Sequence, residues 1–283
     1  MIRERSIGIA QAALAAALFS TGAILVRWAQ ELSPIEVASL RMLLGGLFVA
    51  VAARGSGDRV MVTWAEIQRL APIGLIAAIH FFTFIAALHY TTVAHALTLT
   101  YTAPLFIAVL SRTFLKERLP RRALLGILVG IAGVAVLAGF EPRLNPRMLA
   151  GDALGLASGL AFAIYSLMGR RERSRLPLLT YASWVFLAAG VITAPFAVGA
   201  LRRPVGTGAI AAVIAMALFP SALGHSLYNA ALRRLHPSIP NLIASQEVTG
   251  GILLAWVLLG EAPTLNAVVG AGMTLVAVAL VLL

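Results

Sequence analysis

Apolar residues fall in ten blocks, each about as long as a bilayer is thick, with short polar interruptions between them. A hydrocarbon core of about 30 Å takes roughly 20 residues of helix to cross. On that measure the candidate spans are 7–29, 34–53, 71–90, 93–114, 122–140, 150–169, 178–200, 208–231, 237–259 and 264–283. The interruptions carry turn residues and charge: Ser33-Pro34, Arg54 to Asp58, Lys116 to Pro120, Glu141-Pro142 and Asn145-Pro146. None is long or polar enough to be a soluble domain. The first block follows Arg3 and Arg5 and is rich in small residues from Ala12 to Ala17, as a signal peptide can be. Its apolar run exceeds a signal core, however, and nine more blocks follow, so a retained helix is expected.

Composition agrees with lipid as the main solvent. Hydrophobic residues make up 60% and charged residues 12%, against roughly 45–50% and about 25% in soluble domains. The chain has no cysteine, which excludes disulfides, thiolate metal sites and thiol nucleophiles. A net charge of +11 would suit nucleic acid only if the basic residues shared one face. Instead they alternate with the spans. With the N-terminus inside, the inner segments hold sixteen of the 22 Lys and Arg, the outer segments hold five, and Arg41 lies within span 2. Inner loops are enriched in these residues, so both termini are expected in the cytoplasm, in a bacterial-type inner membrane.

The chain also repeats itself. A shift of 143 places Phe19 on Phe162, Arg27 on Arg170 and Pro34 on Pro177; a shift of 144 places Phe84 on Tyr228, Glu117 on Glu261 and Gly126 on Gly270. Each copy, 7–140 and 150–283, then holds five spans. Five is odd, so the second copy must cross the membrane in the opposite sense. The expected fold is an all-α membrane protein of ten transmembrane helices in two inverted five-helix repeats. Inverted repeats can open a midplane site to each side in turn, as secondary transporters do.

Pro104-Leu105-Phe106 running to Leu115-Lys116-Glu117-Arg118, and the second-copy run from Ala255-Trp256 to Gly260-Glu261, resemble the EamA branch of the drug/metabolite transporter superfamily over essentially the whole chain. One departure is visible: Val248 stands where the first copy has Pro104, so any kink there should differ between copies. In size and span count the chain is similar to the YddG-type exporters of aromatic and other neutral amino acids. The resemblance implies efflux of small metabolites from the cytoplasm.

Polar groups at membrane depth mark the candidate site, since each costs free energy unless it faces a cavity or a partner. Span 9 is richest. Ser238, Asn241, Ser245 and Thr249 recur at helical spacing, Gln246 borders them, and on a continuous helix Glu247 points away from Ser245. This stripe reads as a substrate-facing wall or as interhelical hydrogen bonding. Glu247 is the one carboxylate placed well inside a span, either exchanging a proton in each cycle or fixed against Arg41. His80 and His225 occupy equivalent positions within one residue, each followed by an aromatic, Phe84 and Tyr228. Thr98 with Tyr101, and Ser158 with Tyr165, set a hydroxyl and an aromatic on one face. The substrate-binding candidates are therefore His80, Thr98, Tyr101, Tyr165, His225, Tyr228, Ser245 and Gln246, with Glu247 as a proton-coupling candidate. Glu117 and Glu261, at span ends, read as loop or gate residues. Gly126 and Gly130, and Gly151, Gly155 and Gly159, are small-residue runs that permit close helix approach. Trp28 and Trp64 read as interface anchors.

Other classes fit less well. No His-Glu-x-x-His string supplies a zinc protease, and Ser226 beside His225 points about 100° away on a helix. No phosphate-binding glycine loop is present, so ATP is not expected to drive the protein. A channel would want rings of like residues. The expected protein is not an enzyme. It needs no cofactor or metal, and its partners are a small-molecule substrate and the bilayer, with a monomer as the expected unit. Among transporters, nucleosides and other metabolites or cationic drugs are the rival substrates; span 1 carries no acidic residue to attract cations.

Overall fold

Local chemistry starts and stops the helices. The structure, a computed structural model, describes residues 2–114, 116, 120–139, 144–232, 234–235, 240 and 243–282. In chain order the helices are α1 (Ile2–Trp28), α2 (Pro34–Gly55), α3 (Trp64–Tyr90), α4 (Val93–Thr100), α5 (Ala103–Phe114), α6 (Arg121–Gly139), α7 (Pro146–Arg175), α8 (Leu178–Thr193), α9 (Thr207–Met216), α10 (His225–Leu232), α11 (Glu247–Leu259) and α12 (Leu265–Leu282). Pro34 and Pro146 sit in first turns, where a missing N–H costs nothing. The Glu36 carboxylate accepts from the Ser33 N–H at 2.7 Å, and Glu66 does the same for Thr63 at 2.7 Å. That reciprocal cap starts α3 seven residues earlier than hydropathy alone suggests, because it favours the polar first turn. Gly260 ends α11 at φ 69, a left-handed conformation that glycine adopts without strain.

One helix carries a π-helical stretch. Between α9 and α10, Ala217–Gly224 winds as a π-helix around Pro220. Proline has no N–H to give the carbonyl of Met216, four residues back. The hydroxyl of Ser221 donates to that carbonyl instead, at 3.0 Å.

Among the described residues, seven helices or helix pairs are long and apolar enough to cross a membrane, and α11 and α12 are shorter apolar helices. The outer faces of these helices and of α6 leave Leu14, Leu47, Val51, Leu128, Ile131 and Val257 more than half exposed. Apolar exposure on this scale belongs in lipid rather than water. Inside, α2 packs on α8, α6 on α12 and α3 on α7, while α1 packs on the stretch from α9 through α10. Close backbone approach underlies the α6–α12 seam and the contact of α7 with α4. A Cβ on Gly126 would stand 2.8 Å from the Ala277 carbonyl oxygen, and one on Gly159 would stand 2.9 Å from that of Thr100.

The two ends of the bundle differ. At the end away from the termini, Arg27 pairs with Glu261 at 2.8 Å and donates to the carbonyls of Leu88 and of Thr91. Glu261 also accepts from the Val93 N–H at 3.0 Å. Nearby, Asp152 accepts from the Thr91 hydroxyl at 2.8 Å and lies 3.0 Å from His95 Nδ1. Arg203 bonds Glu36 at 2.8 Å. These bonds tie α1, α3, α4, α7 and the end of α11 together, and Arg203 ties α2 to the segment before α9.

Candidate functional site

A cavity of about 780 Å³ lies among the helices and runs toward the end that carries the termini, where Ser111, Leu167, Asn229 and Val281 line it. Its deeper wall is aromatic: Phe19, Phe81, Phe84, Phe162 and Phe186. Two ring pairs are built alike. Phe19 of α1 packs on His225 with centroids 4.9 Å apart, and Phe162 of α7 packs on His80 with centroids 5.1 Å apart. Phe19 and Phe162 are the residues that the 143-residue shift superposes, so each ring of one copy meets the histidine of the other. The Ser158 carbonyl lies 3.0 Å from His80 Nδ1. The Ser158 hydroxyl lies 2.9 Å from the same nitrogen, so Ser158 holds the ring of His80 through both its backbone and its side chain.

The helix pair α4 and α5 is broken at Tyr101-Thr102, and the helix before α11 is broken at Ser245-Gln246. These pairs are 144 residues apart, and their hydrogen bonds match. The Thr102 N–H donates to Leu99 O at 3.2 Å and the Gln246 N–H to Ile243 O at 3.0 Å; Phe106 donates to Thr102 O and Gly250 to Gln246 O. The kink that Pro104 was expected to make unlike its counterpart is therefore present in both copies. Val248 uses the N–H that Pro104 lacks for a single tight bond to Ser245 O at 3.1 Å, so the break does not require proline.

This break corrects the helical-wheel expectation for span 9. Ser245 and Glu247 both line the cavity, rather than pointing apart as they would on a continuous helix. Gln246 is exposed away from the cavity, where its side-chain oxygen accepts from Thr249 at 3.4 Å. Ser238 and Asn241 lie outside the described residues. In α4, Thr98 is fully buried off the cavity with no hydrogen-bond partner for its hydroxyl, and Thr100 lines the cavity in its place. Of the remaining candidates, His80, Tyr101, Tyr165, His225 and Tyr228 all line it. The Tyr101 hydroxyl donates to Glu247 Oε2 across the two breaks.

Arg41 is the charged lining residue that periodicity did not single out. It is 5% exposed. Its Nε donates to Ser221 Oγ at 2.9 Å, and its guanidinium lies 4.9 Å from the centre of the Phe81 ring. Ser221 thus joins the π-helical stretch to Arg41. Arg41 and Glu247 form no ion pair within 4 Å, so the fixed pair considered for Glu247 is replaced by its bond to Tyr101. Glu117, the counterpart of Glu261, lies outside the described residues. Among the described residues no cluster of three or more metal-ligating side chains occurs.

The sequence profile of the EamA-like transporter family matches residues 6–139 and again 149–283. The chain belongs to the EamA-like transporter family. An uncharacterized transporter of Archaeoglobus fulgidus is 25% identical over 253 residues, covering 88% of this chain and 89% of that protein. The uncharacterized transporter YetK of Bacillus subtilis is 26% identical over 171 residues, covering 58% of this chain and 52% of YetK. A protein of known crystal structure shares the fold with a TM-score of 0.69 over 97% of this chain and 96% of its own, at 22% identity.

Proposed function

We propose that this EamA-like transporter exports small neutral amino acids, aromatic ones among them, across the bacterial inner membrane by alternating access, with its ten spans arranged as two inverted five-span halves. The cavity carries the reading. Its volume suits a mid-sized solute, and its wall sets aromatic rings beside hydroxyl, imidazole and charged groups, which suits a partly apolar ligand with polar ends.

Three observations support the inverted halves. The family profile matches twice. The two helix breaks share one hydrogen-bond pattern at a 144-residue interval. The packing is also reciprocal: α3 lies on α7 as the α9–α10 stretch lies on α1, and α4 with α5 lies on α7 as α11 lies on α1. With the termini in the cytoplasm, the cavity is open inward and the Arg27–Glu261 end is closed outward. His80, Tyr101, Tyr165, His225, Tyr228 and Ser245 would contact the solute.

Uptake by the full chain in liposomes tests the reading, over a panel of amino acids, nucleosides and organic cations, with and without a pH gradient. Saturable uptake and counterflow of neutral amino acids are expected. Preference for nucleosides would replace the substrate class, and linear flux without saturation would replace the carrier by a channel.

A further inference from the structure

Arg41 holds a permanent positive charge inside the bundle, and a buried charge is costly unless it is paired. Its local partners do not neutralise it. Ser221 takes one N–H, the Phe81 ring covers one face, and Nη1 has no hydrogen-bond partner. Among the described residues no carboxylate lies within 4 Å of it. Glu247, the one carboxyl group among the described lining residues, is held by Tyr101 and acts on Arg41 only through space. The described lining therefore presents one cation and one carboxyl group, separated by more than an ion pair's distance across an aromatic chamber.

We propose that Arg41 anchors the carboxylate of a zwitterionic solute whose ammonium group is taken by Glu247. The planar fork of a guanidinium matches a carboxylate in two parallel hydrogen bonds. Ser221 holds that fork in place through Nε, and Nη1 has no hydrogen-bond partner of its own. A phosphate monoester would bring more negative charge than one guanidinium balances, and an organic cation would meet Arg41 as a like charge. A zwitterion leaves the chamber neutral, and its side chain is left among Phe19, Phe81, Phe162 and Phe186. This inference rests on the amino-acid reading above and adds which residue recognises which end of the molecule.

Counterflow of labelled phenylalanine in proteoliposomes tests it, with unlabelled phenylalanine, phenylalaninamide and 3-phenylpropionate as competitors. The amide lacks the carboxylate charge and the propionate lacks the ammonium. Each is expected to compete about tenfold or more weakly than phenylalanine, since each strands one buried charge. Arg41→Gln is expected to raise the half-saturating phenylalanine concentration by about tenfold and to erase the preference for phenylalanine over its amide, while the preference over the propionate persists. Equal competition by the amide in the unaltered protein, or a preference that survives Arg41→Gln, overturns the anchor while leaving amino-acid transport in place. Exchange of 3-phenylpropionate but of no amino acid, lost in Arg41→Gln, removes the amino-acid reading and keeps Arg41 as a carboxylate anchor. Exchange of neither solute overturns both. Should Arg41→Gln fail to fold in detergent, the competitor series on the unaltered protein and Arg41→Lys, which keeps the charge without the fork, decide the matter.

Discussion

The phenol of Tyr101 donates to Oε2 of Glu247, and this bond ties the break between α4 and α5 to the first residue of α11. Each partner sits where the helix has just tightened, so neither is held by a regular helical turn. If the bond fixes both breaks together, its loss is felt once. Tyr101→Phe is expected to cost about 1–2 kcal/mol, because it removes a donor to a carboxyl group inside the protein. Glu247→Gln costs less, since its amide oxygen still accepts. The double variant is expected to fall no lower than Tyr101→Phe alone. Thermal denaturation of the four proteins in detergent closes the cycle, and additive losses would show that the two residues act independently.

The apolar helices and the repeat are visible in the sequence because they depend on spacings that survive folding; which ring meets which histidine is seen only in space. Phe19 and Phe162 stand 143 residues apart in the chain and meet His225 and His80 in space. What stayed hidden depends on departures from regular helix. A wheel drawn through 238–259 sets Ser245 against Glu247, and only the tight turn at Ser245-Gln246 turns both to the cavity and Gln246 away from it. Thr98 was placed beside Tyr101 by spacing alone and lies off the cavity for the same reason, since Tyr101 is already in the break. Sequence alone offers Arg41 only as a fixed partner for Glu247, because a lone arginine within a span does not show which cavity it faces. The signal that could have found it is Pro220-Ser221: a proline inside a span leaves a carbonyl without its donor, and the serine after it both satisfies that carbonyl and holds Arg41.

The two ring pairs should be functionally alike. Phe19→Ala and Phe162→Ala each remove an aromatic neighbour of a cavity histidine, a contact worth about 0.5–1.5 kcal/mol beyond the area it buries. Each is expected to raise the half-saturating concentration of an aromatic amino acid about three- to tenfold, and to affect a small solute such as alanine much less. Initial rates across the two solutes measure this. A large effect of one variant with none from the other would show that the cavity does not use its two sides equivalently.

Arg27 and Glu261 close the end of the bundle away from the termini, and they are 15% and 27% exposed at their side chains. An ion pair this close to solvent contributes about 1 kcal/mol or less. In a protein poised between two states, that is enough to shift their ratio by about fivefold. Glu261→Gln is therefore expected to raise access to the cavity from the outer side while leaving folding intact. The chain has no cysteine, so Gly22→Cys in the cavity wall gives a single label site without background. Labelling by an impermeant maleimide from outside is expected to rise severalfold in the Glu261→Gln protein. No rise would assign the pair a purely structural role.

The opposed orientation proposed for the halves makes the sharpest prediction, because it depends only on which side of the bilayer a loop lies. Ser56 follows α2 and Gly206 precedes α9; both are exposed. The 143-residue shift sets the loop after α2 against the loop after α8. Parallel halves joined by an even number of crossings would leave those two loops on one side, and inverted halves put them on opposite sides. Ser56→Cys is expected to react with an impermeant reagent only from the cytoplasmic face, and Gly206→Cys only from the outer face. Intact cells and inverted vesicles carrying each variant make the comparison. If both cysteines reacted from the same face, the two halves would not be inverted, and a cavity alternating between the two sides would lose its structural basis.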